Sequence, residues 1–144
     1  MMLLDDFKHS ILLTTRFSDG DVMGHVNNAR YATYLEEARI QYARDVFGWN
    51  GEPDEIGMIL VKTVIDYLMP LRVGNTIKVH TRCSRIGRKS FDLNYIVMIE
   101  GKGALVSTAT TTMVAYDYQR EASVLVSDEW KKSVLAYEKI KPEV

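Results

Sequence analysis

At 144 residues, 47% hydrophobic and 26% charged, with a formal net charge of -1, the chain has the make-up of one globular domain spanning 1–144. That charge supplies no field to gather nucleic acid, and no low-complexity tract or repeat points to a fibrous or disordered protein. A single cysteine excludes an intrachain disulfide, acidic Asp5 and Asp6 stand where a signal peptide would be cationic, and no apolar run approaches the roughly 20 residues that cross a bilayer. A cytoplasmic protein with no membrane partner is therefore expected.

Ile11, Leu13, Thr15 and Phe17 alternate with Thr14 and Arg16, a spacing that predicts a half-buried strand from Ile11 to Phe17. The stretch Ser18 to His25 breaks the pattern with two glycines and two aspartates and reads as a loop. It leads into a long helix from about Asn27 to Phe47, with Tyr31, Tyr34, Leu35, Ala38, Tyr42 and Val46 on one stripe. Asn27 or Asn28 is a suitable N-cap, and Gly48, Gly51 and Pro53 stop the helix. Ile40 and Phe47 lie nearly opposite the stripe, which predicts a helix enclosed on more than one side.

The remainder reads as strand. Met58 to Met69 is extended, with Thr63, Ile65 and Tyr67 on one face and Lys62 and Asp66 on the other, until Pro70 and Gly74 end it. Ile77, Val79, Thr81 and Cys83 alternate with polar residues, as do Phe91, Leu93, Tyr95, Val97 and Ile99 after a turn at Gly87. A further strand runs from about Ala104 to Tyr118, and Asp128 to Glu138 is a short helix with Trp130, Val134 and Tyr137 on one side. Glycine turns between consecutive strands mark antiparallel hairpins. The fold class is thus α+β, a five-stranded antiparallel sheet wrapped around one long helix. Its open edges favour a homo-oligomer, a homodimer or a homotetramer.

The run Phe17-Ser-Asp-Gly-Asp21-Val-Met-Gly-His-Val-Asn-Asn28, followed by Tyr31, Tyr34, Glu37, Ala38 and Arg39, resembles the opening of hot-dog-fold thioesterases, most closely the 4-hydroxybenzoyl-CoA thioesterase group. Gly24 to Asn28 is also similar to the matching stretch of acyl-carrier-protein thioesterases. Tyr67 to Asn75 and Arg85 to Phe91 fit the strand joints of that family, so the likeness covers roughly residues 8 to 120. It implies a hot-dog fold, hydrolysis of an acyl-CoA or acyl-carrier-protein thioester, Asp21 as the catalytic carboxylate and the Asn28 N–H as an oxyanion donor. Val22-Met23-Gly24 replaces the Pro-Ala-Gly that follows the aspartate in the 4-hydroxybenzoyl group, so an aromatic acyl substrate is not implied. The four-residue step from Asp21 to His25 also differs from the hydratase pattern.

The chemistry suits these residue types. Thioester hydrolysis needs an attacking water or carboxylate and donors for the developing oxyanion. A loop aspartate carries its charge near neutrality, and the first turn of a helix offers unpaired N–H groups at the positive end of its dipole. Asp19 reads as a turn residue. His25 and Asn27 can orient substrate, although loop bracing and capping are their plainer roles. Tyr31 is a substrate contact or a core residue, and Glu36 is a solvated helix charge. Arg85, Arg88 and Lys89, with Ser90 beside them, form a basic hairpin suited to the phosphates of coenzyme A or of the phosphopantetheine arm.

Cys83 falls on an apolar face and reads as an inert buried thiol. No metal or other cofactor is implied, because His9, His25 and His80 are scattered and no zinc spacing occurs. Two rivals remain: a non-catalytic module that binds an acyl thioester, and an acyl thioester hydratase.

Overall fold

The computed structural model describes residues 2–52 and 57–144, so the predicted helix stop at Pro53 lies outside the described residues. In chain order the elements are β1 (His9–Thr14), α1 (Asn28–Tyr42), β2 (Met58–Tyr67), β3 (Thr76–Ile86), β4 (Ser90–Ile99), β5 (Ala104–Asp117), a two-residue β6 (Ala122–Ser123) and α2 (Asp128–Tyr137). The main strands pair antiparallel in the order β1-β3-β4-β5-β2, with β6 added against β5.

Alternation in β3 and β4 sets the core. Ile77, Val79, Thr81, Cys83, Phe91, Leu93, Tyr95 and Val97 are all 1% exposed or less. Each large apolar side chain buried this way contributes about 2 kcal/mol relative to exposure. Register shifts at Leu60/Lys62, Cys83/Arg85 and Val97/Met98 interrupt the ladders. Such bulges increase twist and bend a sheet, which here curls around α1.

The predicted stripe of α1 is buried in full: Tyr31, Tyr34, Leu35, Ala38 and Tyr42, then Val46. The helix runs on through a π-helical turn, Ala43–Phe47, and ends at Gly48, whose φ of 76° is the left-handed conformation that glycine adopts without strain. On the far side α2 completes the cover. Trp130 stacks on Phe47 with ring centroids 4.5 Å apart, and Phe91 meets Phe47 edge-on at 5.5 Å. This is the helix-in-curled-sheet architecture that the sequence predicts.

One expectation is overturned. Phe17 does not share the face of Ile11 and Leu13, because β1 ends at Thr14 and Phe17 sits 93% exposed on a single 3-10 turn, Phe17–Asp19. The Asp19 carboxylate accepts the Arg16 N–H at 3.0 Å, and this bond turns the chain out of the strand.

The two sheet edges differ. Past His9, where β1 begins, the C-terminal segment takes over against β3: the Ile86 N–H donates to the Glu143 carbonyl at 2.7 Å and the Glu143 N–H to the Ser84 carbonyl at 3.0 Å. The β2 edge has no strand beyond it among the described residues and exposes Leu60, Val61 and Val64.

Candidate active site

The loop from Gly20 to Val26 is a miniature hairpin. Its ends meet in an antiparallel bridge between Gly20 and Val26, and the Asp21 N–H donates to the His25 carbonyl at 2.8 Å. A side chain at Gly20 would start 2.6 Å from Val73 Cγ1, so only glycine permits this approach to the β2–β3 connection. At the tip the Gly24 N–H donates to the Asp21 carbonyl, and Gly24 takes a φ of 78°.

Asp21 is exposed on this hairpin. Its Oδ1 accepts the Met23 N–H at 2.9 Å and the His25 N–H at 3.2 Å. Its Oδ2 has no partner among the described residues. The carboxylate is thus held by one oxygen and free at the other.

Asn27 is the N-cap of α1, its side-chain oxygen accepting the Ala29 N–H at 2.9 Å, while the Asn27 carbonyl accepts the Arg30 N–H. Among the described residues no acceptor meets the Asn28 N–H. That donor stands at the positive end of a 15-residue helix, where a developing anion is favoured.

Asp21, His25 and Asn28 line one open cavity of about 370 Å³, whose other walls are Val26, Tyr31, Tyr67 and the segment Leu68 to Pro70. Tyr31 meets Tyr67 edge-on with centroids 4.9 Å apart, and the Tyr67 hydroxyl donates to the Asn28 carbonyl at 3.2 Å. Burial, with Tyr67 beside it, pushes the Tyr31 hydroxyl above the ordinary tyrosine range, so it stays a neutral donor. Tyr67 and its neighbours are site residues that the sequence does not mark. Their signals are the turn chemistry of Pro70 and Gly74 and the likeness of Tyr67 to Asn75 to a strand joint of the family, which place the end of β2 but not what it faces.

Beneath the hairpin lies Asp19, 1% exposed. Its Oδ2 accepts from the Tyr34 hydroxyl at 2.7 Å as well as from the Arg16 N–H, and its carbonyl accepts the Asn27 N–H at 2.8 Å. Burial pushes this carboxyl up, but the Arg16 N–H, the Tyr34 hydroxyl and the charges of Arg16 and Arg30 outweigh it and hold it below the usual carboxylate range.

The basic hairpin is elsewhere. Arg85 forks onto Asp92, Nε to Oδ2 at 2.8 Å and Nη2 to Oδ1 at 3.1 Å, and Nη2 also donates to Ser90 Oγ at 2.9 Å. This bonding holds the Asp92 carboxyl below its usual range. Arg88 and Lys89 are exposed at the turn, and none of Arg85, Arg88, Lys89 and Ser90 lines the cavity of Asp21. Cys83 is buried, its thiol pushed up to about 12 by burial and by Glu138. Among the described residues no three His, Cys, Asp or Glu side chains cluster as a metal site would need, and no helix is long and apolar enough to cross a membrane.

The chain shares 28% identity over 116 residues with the long-chain acyl-CoA thioesterase FadM of Escherichia coli, covering 79% of this chain and 87% of that one. Its fold superimposes on a Thermus thermophilus thioesterase solved with coenzyme A and zinc, at a TM-score of 0.82 and 24% identity over 92% of this chain and 96% of that one. A 1,4-dihydroxy-2-naphthoyl-CoA thioesterase from Synechocystis superimposes with a TM-score of 0.78 at 16% identity, covering 89% of this chain and 96% of the other. These neighbours share the hot-dog arrangement of curled sheet and central helix. Residues 15–135, which contain the Asp21 hairpin, all of α1 and the full sheet from β2 onward, match the Thioesterase-like superfamily, and the chain belongs to that family.

Proposed function

We propose that this protein is an acyl thioesterase, hydrolysing the thioester of an acyl-CoA or an acyl carrier protein to free acid and thiol. The observation that carries the reading is the meeting of an unpaired carboxylate oxygen, Asp21 Oδ2, and an unused helix N–H, that of Asn28, on one cavity. An attacking oxygen and an oxyanion donor are the two things thioester cleavage needs.

In this mechanism the thioester carbonyl lies against the start of α1, its oxygen towards the Asn28 N–H. Asp21 either takes a proton from the attacking water and passes it to the thiolate that departs as the C–S bond breaks, or attacks the carbon itself. In the second case the C–S bond breaks as an anhydride forms, and the water that opens the anhydride supplies the proton of the thiol. His25 and Asn27 hold the hairpin and the cap in register, and Tyr31 and Tyr67 wall the acyl group. Arg88 and Lys89, both exposed, lie at the opposite end of the sheet from this cavity, and meet the phosphates of a thiol carrier seated in the cavity of a partner subunit of the proposed homo-oligomer. Arg85 and Ser90 support that turn, with Arg85 already satisfied by Asp92.

Both relatives named above that specify a substrate act on coenzyme A thioesters, one long-chain and one aromatic, which favours coenzyme A as the carrier. The enzyme works in the cytoplasm as a homodimer or homotetramer, without metal. A panel of acyl-CoA substrates from acetyl to palmitoyl with several aromatic members, read with a thiol-trapping dye, tests this function. Thiol release from at least one member is expected. Binding without thiol release from any acyl-CoA or acyl carrier protein would instead make the protein an acyl-thioester-binding module.

A further inference from the structure

Asp19 joins parts of the fold that meet at the base of the hairpin. Through Oδ2 it grips the exit of β1 at Arg16 and the second turn of α1 at Tyr34, and through its carbonyl it grips the N-cap Asn27. Arg16 Nε at 3.6 Å and Arg30 Nε at 3.9 Å add charge from both sides. The Asp21 hairpin begins on the next residue. Its other anchors to the body are the Gly20 N–H on the Phe17 carbonyl at 3.1 Å, the Val26 N–H on the Leu71 carbonyl at 2.6 Å, the Val73 N–H on the Gly24 carbonyl at 3.3 Å and the buried Val26 side chain.

We infer that Asp19 and Tyr34 are positioning residues, their buried hydrogen bond fixing where Asp21 stands relative to the Asn28 N–H. The inference rests on the hydrolysis proposed above. Asp19 touches no substrate; it acts through the hairpin. Reacting groups must meet within a few tenths of an ångström of their productive geometry, and a displacement of about 1 Å can cost roughly 100-fold in rate. A hairpin with glycines at positions 20 and 24 has the backbone freedom to make such a displacement once the grip is lost.

Tyr34→Phe tests this most cleanly, because it removes one hydroxyl. Measured with the acyl-CoA of the panel that is turned over fastest, kcat per folded molecule should fall about 10-fold with KM within about twofold. Asp19→Ala should fall further, and Asp19→Asn, which keeps an oxygen for both Tyr34 and Arg16, should recover part of the loss. Amide exchange at Met23 and His25, whose N–H groups rest on Asp21, should quicken in Tyr34→Phe, a change that general destabilisation would not confine to the hairpin. If Asp19→Ala does not fold, Tyr34→Phe still decides.

A Tyr34→Phe enzyme with near wild-type kcat and unchanged exchange, beside an inactive Asp21→Asn, overturns the positioning role and leaves the hydrolysis standing. A wild-type protein that releases no thiol from any substrate removes the hydrolysis, and the positioning role falls with it.

Discussion

The hydroxyl of Tyr42, near the end of α1, donates to Oε1 of Glu138, just past the end of α2 and 96 residues further along the chain, in a bond sealed from solvent. The same oxygen accepts the Cys83 N–H at 2.9 Å, so Glu138 pairs a β3 backbone group that β1 leaves free. Its Oε2 is buried without a partner among the described residues. Burial raises the Glu138 carboxyl above the ordinary glutamate range, and the donors from Tyr42 and Cys83 only partly oppose that.

A raised carboxyl binds its proton more tightly folded than unfolded. Its contribution is therefore present below the ordinary glutamate range and is lost as pH rises through the folded value. Glu138→Gln, neutral at all pH, should leave the Tm unchanged near pH 4 and raise it by roughly 3–5 °C near pH 8, the equivalent of about 1 kcal/mol for a chain of this size. Thermal melts of both proteins across that range check it, and a Tm difference independent of pH would refute the assignment.

On the basic hairpin the paired and the exposed cations should behave differently. Arg88→Ala and Lys89→Ala remove charges that meet the carrier in ground and transition states alike, so KM should rise several-fold with kcat nearly constant. Arg85→Ala strips Asp92 of its fork and should instead lower the Tm. With an acyl carrier protein as substrate, the Arg88 and Lys89 effects should shrink as salt rises. A fall confined to kcat would speak against phosphate contact.

Much of this architecture is legible in the amino-acid sequence. Alternation locates β3 and β4 correctly because one face of each is wholly core, so pattern and burial coincide. Asp21, His25 and Asn28 are brought to one cavity because loop, cap and first turn are contiguous in the chain, with Asn27 as the cap between them, while their proposed roles come from the family resemblance. The exit of β1 misleads, since Phe17 continues the alternation that the Asp19 to Arg16 bond terminates. The roles of Tyr67 and Glu138 are hidden for a deeper reason. Each owes its position to a partner distant in sequence, Asn28 and Tyr42, and at the ends of a strand and a helix both look like ordinary surface residues.

The β2 edge bears on assembly. A ten-residue strand with Leu60, Val61 and Val64 exposed and little charge is the kind of edge that pairs with another chain. The proposed homo-oligomer would bury it. Light scattering should then give a mass that is a multiple of 16.4 kDa at micromolar concentration. Val64→Lys, which puts a charge at the middle of that edge, should shift the protein toward monomer. A wild-type monomer would remove the oligomer from the proposal.

Asp21 carries the proposed chemistry. Asp21→Asn keeps the size of the side chain and an oxygen for the Met23 and His25 N–H groups, so the hairpin and its Tm should survive. What it loses is the anion. Without a base to take the proton from water, or an oxygen able to attack, hydrolysis should fall by roughly 100-fold or more. Asn replacement at Asp19 should do much less, because that carboxylate holds the hairpin and meets no substrate. Single-turnover rates on the same acyl-CoA check this, since loss of chemistry at Asp21 must show in the first turnover and must exceed that of Asp19→Asn. If Asp21→Asn folds and turns over at the wild-type rate, water must be activated by another group on this cavity, with His25 the next to substitute.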